Sequence, residues 1–160
     1  MNTKRHATRM RTIASCSVVF VFLFTGCSPE QRGNRMPTTG VTGRVIVDGT
    51  PVPANAPLRV TCHLLSASTQ MPKSQALTGD DGRFEISTYE QGDGVPAGDY
   101  ALTFFWGKMN VMTGSYDAPD RLGGRYQDVT KSVIEFTVSE SEAAVELGYI
   151  ELTSSTVAAP

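Results

Sequence analysis

Tyr100-Ala101-Leu102-Thr103-Phe104-Phe105-Trp106 decides the fold. Tyr100, Leu102, Phe104 and Trp106 recur every second residue, and Phe105 falls on the opposite face. That alternation, in a run rich in aromatic residues, specifies a strand with one face on a core.

Working upstream, Tyr89 to Asp99 reads as a loop, with Gly92-Asp93-Gly94 and Pro96-Ala97-Gly98. Asp80-Asp81-Gly82 is a turn, and the alternation Phe84, Ile86, Thr88 after it predicts a hairpin with the short strand Gln75 to Thr78. Leu58, Val60, Cys62 and Leu64 set the inward phase of another strand, which places His63 on its exposed side. Val41 to Asp48 opens the domain, with Val41, Val45 and Val47 on one face. Asp48-Gly49 then turns the chain, and Pro51, Pro53 and Pro57 keep the next stretch irregular.

Downstream, Gly107 to Thr130 is a long irregular segment of the kind that is often functional or mobile. Val133 to Val138 is a strand with Ile134, Phe136 and Val138 inward. In Ala144 to Leu152, Val145 and Leu147 match one phase and Ile150 and Leu152 the other, which predicts a bulge at Gly148. Thr153 to Pro160 reads as a tail. Seven short strands without helical spacing after Cys27 predict two packed sheets.

Val41-Thr42-Gly43-Arg44-Val45, Asp48-Gly49, Thr78-Gly79-Asp80-Asp81-Gly82-Arg83-Phe84 and Pro96-Ala97-Gly98-Asp99-Tyr100 together resemble the carboxypeptidase-regulatory-like, transthyretin-like domains. The resemblance spans residues 41–152. It implies an all-β, seven-stranded antiparallel Greek-key β-sandwich, usually a non-catalytic module in that family. The hydrolases of the transthyretin-like fold carry several active-site histidines and a Tyr-Arg-Gly-Ser-like end. This chain ends Ser154-Ser155-Thr156-Val157-Ala158-Ala159-Pro160, so the resemblance does not extend to that enzyme.

The N-terminus carries a different signal. Lys4, Arg5, Arg9 and Arg11 precede an apolar run to Phe24, too short to match the roughly 20 residues of a spanning helix. Leu23-Phe24-Thr25-Gly26-Cys27 resembles the lipobox of bacterial lipoproteins, with Phe24 where Leu is usual. The resemblance implies a signal peptide over 1–26, cleavage before Cys27, and acyl chains, palmitate among them, on Cys27. Two or more chains hold a protein on a bilayer where one is marginal. Residues 27–40 are then the lipidated cysteine and a polar, Pro- and Gly-containing tether of about 20 Å typical span. The expected location is the periplasmic or cell-surface face of a bacterial membrane.

All 16 acids follow Cys27, whereas four of the 14 bases precede it, so the 134 residues from Cys27 onward carry a net charge of −6. Such a chain is no nucleic-acid binder, since that needs a basic face. Once Cys27 is acylated and Cys16 removed, Cys62 has no partner, and its inward phase makes it a buried thiol. His6 leaves with the signal, which leaves His63 alone, too few ligands for zinc and no nucleophile elbow for a triad. Asp80-Asp81 and Glu90-x-x-Asp93 lack EF-hand spacing and are more economically turn residues than calcium ligands. No cofactor, metal or catalytic residue is therefore assigned. Phe105 and Tyr116 are the candidate ligand contacts, as aromatics available to a sugar ring; Trp106 shares the inward phase and belongs to the core. The expectation is a lipid-anchored envelope protein with a non-catalytic structural or protein-interaction module. Its partners are the membrane, through Cys27, and an envelope protein or polysaccharide. A carbohydrate-binding module is the first alternative, and an envelope hydrolase the second.

Overall fold

The computed structural model describes residues 35–66, 72–108, 110, 112–113 and 119–155. They all belong to one unit, Asn34–Pro160. The expected signal segment, Cys27, most of the tether and Tyr116 lie outside the described residues.

Among the described residues eight strands form: β1 (Gly40–Val47), β2 (Thr50–Pro51), β3 (Arg59–Leu64), β4 (Ser74–Leu77), β5 (Arg83–Glu85), β6 (Gly98–Phe105), β7 (Glu135–Val138) and β8 (Ala144–Leu152). They make two four-stranded sheets. In one, β1 is central, with β8 along one edge and β2 and β5 sharing the other. The second has the order β4-β3-β6-β7. The inward residues of both sheets join one apolar cluster. Val41, Val45, Phe84 and Ile150 come from the first sheet, and Val60, Tyr100, Leu102 and Phe104 from the second. The alternation around Leu102 thus does what its pattern requires.

Four expectations change. The strands number eight rather than seven, because Asp48 (φ 50°) and Gly49 (φ 75°) form a tight turn that brings Thr50 back against Val47. Two successive positive φ angles give the turn whose twist suits a two-residue hairpin. The sheets are not wholly antiparallel: β8 runs parallel to β1, from Gly40 opposite Ala144 to Val47 opposite Leu152. A parallel pair needs a long crossover. Here the whole chain between β1 and β8 supplies it, because β8 crosses from the sheet of β7 to that of β1. The turn at Asp80-Asp81-Gly82 is present, but it joins strands of different sheets, β4 and β5, so it is a corner and not a hairpin within one sheet. An isolated bridge, Gln75 to Ser87, and a hydrogen bond between the Ser74 and Thr88 hydroxyls (2.8 Å) link that edge.

The fourth change concerns residues 107–130, whose described second half is tied down. Leu122 is fully buried in the core, a side chain worth about 1.5–3 kcal/mol when removed from water. Asp120 fastens this segment to the end of β6: its Oδ1 accepts from the backbone N–H of Trp106 (2.9 Å) and Leu122 (3.0 Å). Its Oδ2 accepts from Gly124 N–H (3.0 Å) and Gln127 Nε2 (2.9 Å). Tyr126 packs edge-on against Phe104, 6.4 Å between ring centroids. Beyond β8, Thr153 donates its N–H to the Tyr126 hydroxyl, and Ser154 donates its N–H and hydroxyl to the Asp48 carboxylate.

Before β6, the buried Tyr100 hydroxyl donates to the Pro96 carbonyl at 2.9 Å. This ties the Pro-Ala-Gly-Asp-Tyr stretch into a corner of the kind that ends connections between sheets.

The bulge at Gly148 is present. Thr42 pairs with Glu146 but Arg44 pairs with Tyr149, so Leu147 and Gly148 oppose the single residue Gly43. Gly148 takes φ 69°, the left-handed conformation glycine adopts without penalty. Past the bulge the phase inverts, which sends Ile150 and Leu152 inward and Tyr149 outward.

Candidate binding surface

Among the described residues, the side chains with the chemistry most suited to catalysis or metal binding are buried or bonded to the framework. Cys62 is a free, buried thiol, and burial pushes it up to about 12, so it is protonated and inert at neutral pH. His63 is half-buried rather than exposed. The register that sets it opposite Ala101 brings its Nε2 within 2.7 Å of Thr103 Oγ1 on β6. Burial, and then the nearby Lys73 charge, hold the ring below the usual histidine range, so it is neutral at pH 7.

The two acidic clusters cap turns. Asp93 accepts from three backbone N–H groups, Thr88 at 2.7 Å, Tyr89 at 2.9 Å and Glu90 at 3.0 Å. Glu90 pairs with Arg35. Asp81 accepts from Arg83 N–H and lies 2.9 Å from Arg83 Nε and 3.5 Å from the Arg44 guanidinium. Among the described residues no three His, Cys, Asp or Glu side chains gather into a metal-holding group.

Phe105 occupies the outer face of the second sheet, as its phase requires, but its ring is not an open platform. It is half-buried, and the Arg59 guanidinium lies 5.1 Å from its centroid. The two residues are direct cross-strand partners on β3 and β6. Trp106 is half-buried against the core, with its Nε1 donating to Ala56 O at 2.8 Å and Arg121 stacked on its ring at 4.9 Å. Tyr116, the other aromatic candidate, lies outside the described residues.

Among the described residues, the aromatic most open to solvent is Tyr149, 70 % exposed. It stands on the outer face of the first sheet, within a small grid set by strand register. One row is Glu85, Thr42 and Glu146; the next is Arg83, Arg44 and Tyr149. Neighbours in a row are about 5 Å apart and the rows about 7 Å. Arg44 lies against the Tyr149 ring, 5.5 Å from its centroid, and donates to its hydroxyl at 3.3 Å. The Arg44 Nε is itself held by the Asp81 carbonyl at 2.6 Å. A shallow hollow of about 240 Å³ opens over this grid, lined among others by Thr42, Arg83, Glu85, Glu146 and Tyr149.

Tyr149 was not among the sequence candidates. Its signal is the phase change at Gly148: the inversion that takes Ile150 inward must also take Tyr149 outward. Bulges re-aim side chains in this way.

No protein-family model matches the chain, and no curated protein matches it. Among solved structures it is similar to a 9R-lipoxygenase from Cyanothece PCC8801 (TM-score 0.38, 10 % identity), over 72 % of this chain and 16 % of that one. It is similar to (S)-allantoin synthase (TM-score 0.41, 22 % identity), over 72 % of this chain and 40 % of that one. A DUF3823 family protein from Parabacteroides merdae ATCC 43184 gives a TM-score of 0.35 at 12 % identity, over 75 % of this chain and 47 % of that one. The match thus spans less than half the length of each of these three proteins.

Proposed function

We infer that this is an exported bacterial lipoprotein, acylated on Cys27 and held at the periplasmic or cell-surface face of a membrane. Its seven principal strands form a transthyretin-like, carboxypeptidase-regulatory-like Greek-key sandwich that acts as a non-catalytic structural or protein-interaction module. The observation that carries this reading is the commitment of its reactive groups. His63, Cys62, Asp81 and Asp93 are each buried or engaged in bonds that hold strands and turns together. The basic start, the apolar run and Phe24-Thr25-Gly26-Cys27 support the anchor.

The experiment is metabolic labelling with a palmitate analogue, membrane fractionation, and crosslinking in intact cells. The native chain is expected to take up label, sediment with membranes and capture one dominant envelope protein. Cys27→Ala is expected to lose both label and membrane association. A Cys27→Ala chain that is still processed and membrane-bound overturns the anchor. A carbohydrate-binding role is the second reading, and the Tyr149 grid is the observation that favours it.

A further inference from the structure

We propose that the outer face of the β5-β1-β8 sheet is a glycan subsite, in which Tyr149 stacks on one neutral pyranose ring whose hydroxyls bond to Glu146 and Thr42, with Glu85 placed to meet the next ring of the chain. The proposal rests on the binding-module reading above and names the chemistry of the partner.

Four observations carry it. The first is the open ring. The Arg44 guanidinium lies 5.5 Å from the Tyr149 ring centroid, and the residue is still 70 % exposed, so most of the ring meets solvent. An apolar ring face in water is worth covering, and the C–H face of a sugar covers it without burying a polar group.

The second is orientation. Arg44 is held at its Nε by the Asp81 carbonyl and at its tip by the Tyr149 hydroxyl. The aromatic is therefore propped on a fixed guanidinium and loses less freedom on binding than a loose side chain would.

Charge balance is the third. Arg44 and Arg83 share Asp81, and Glu85 and Glu146 add two exposed carboxylates. A phosphate or uronate would meet the row Glu85-Thr42-Glu146 head-on. A cation would find only Glu85 and Glu146, two strands or about 10 Å apart, because Asp81 is committed to Arg44 and Arg83. A neutral polyol meets acceptors in one row and donors in the other, both about 7 Å apart, across a face about 10 Å wide.

The last is size. The hollow, about 240 Å³, falls below the 300–1,000 Å³ typical of pockets that enclose larger ligands. It suits one ring of a longer chain lying across the sheet rather than an enclosed small molecule.

The test uses the full acylated protein in detergent micelles, titrated with cellohexaose, chitohexaose and mannohexaose. Polygalacturonate serves as the anionic comparison, and saturation-transfer NMR is the readout. At least one neutral hexaose is expected to bind. Tyr149→Ala is expected to weaken it by about tenfold, and Tyr149→Phe, which keeps the ring but frees the Arg44 tip, to weaken it less than Tyr149→Ala does. Glu146→Ala is a second exposed-site variant for the case in which Tyr149→Ala alters the fold, checked by its melting curve, and it too is expected to weaken binding. Binding of none of the neutral hexaoses, binding that survives both Tyr149→Ala and Glu146→Ala, or a preference for polygalacturonate overturns the proposal. Release of Cys27→Ala from membranes is scored on a separate sample, so loss of the anchor reading and loss of the glycan reading are told apart.

Discussion

Gly43 lies directly opposite Phe84 across β1 and β5, and a Cβ placed on it would sit 2.7 Å from the ring Cζ and 2.9 Å from Cε1. The ring is 2 % exposed and packs between the two sheets. The same glycine is the single residue that Leu147 and Gly148 oppose on β8. One position therefore makes room for the first core aromatic and for the bulge that turns Tyr149 outward.

Gly43→Ala is expected to destabilise the domain by about 1–3 kcal/mol, the usual cost of forcing an extra methyl into a packed core. Urea denaturation checks this. The midpoint should fall with the slope unchanged, because the surface exposed on unfolding is the same. A native-like midpoint would mean that the Phe84 ring can swing aside without penalty.

Tyr100→Phe removes the hydroxyl that donates to the Pro96 carbonyl and leaves that acceptor buried without its partner. The expected loss is about 1–3 kcal/mol. Tyr126→Phe is the control. Its hydroxyl accepts from the exposed Thr153 N–H, which water can satisfy, so its loss should stay within about 0.5 kcal/mol. Thermal melts of the two variants should separate clearly, with Tyr100→Phe the lower.

How far these features are legible in the sequence depends on which physical rule each one obeys. Period-two alternation is a property of a single strand, so the strands around Val45, Val60, Leu102 and Phe136 can be placed from their own residues. Register is a property of pairs, and alternation does not encode it. That is why the parallel partnership of β1 with β8, and the assignment of β4 and β5 to different sheets, emerge only in three dimensions. Phe105 shows the same division: its face follows from its phase, but the Arg59 guanidinium over it follows from the β3–β6 register. His63 likewise falls on the outer face by phase, whereas the Thr103 hydroxyl beside it follows from the β3–β6 register. Tyr149 is the instructive case. The phase inversion at Gly148 is visible in the sequence, and attention to the residues it turns inward conceals the one it turns outward.

Asp120 is the best-coordinated carboxylate among the described residues, and its removal should show in both stability and pH response. Burial pushes its carboxyl up, but the Gln127 amide and the backbone N–H groups of Trp106, Leu122 and Gly124 outweigh that and hold it below the usual carboxylate range. All four donors bond to the charged form. Asp120→Asn keeps one acceptor oxygen and, with its amide nitrogen in the place of Oδ2, turns the other into a donor facing both Gly124 N–H and Gln127 Nε2, so two favourable contacts are lost. The expected cost at pH 7 is about 2 kcal/mol, within the range for hydrogen bonds to charged groups.

The sign of the pH dependence follows from linkage. The folded chain binds the Asp120 proton less readily than the unfolded chain does. The stabilisation is therefore fully present above the unfolded value, near 3.8, and is lost as pH falls through the lower folded value. Urea midpoints of the native chain and Asp120→Asn, measured from pH 7 down to pH 2.5, should run apart by a constant interval to about pH 4.5 and then converge. A gap that persists to the lowest pH would show that the carboxylate charge is not what fastens residues 120–127 to the end of β6, and that shape alone holds them.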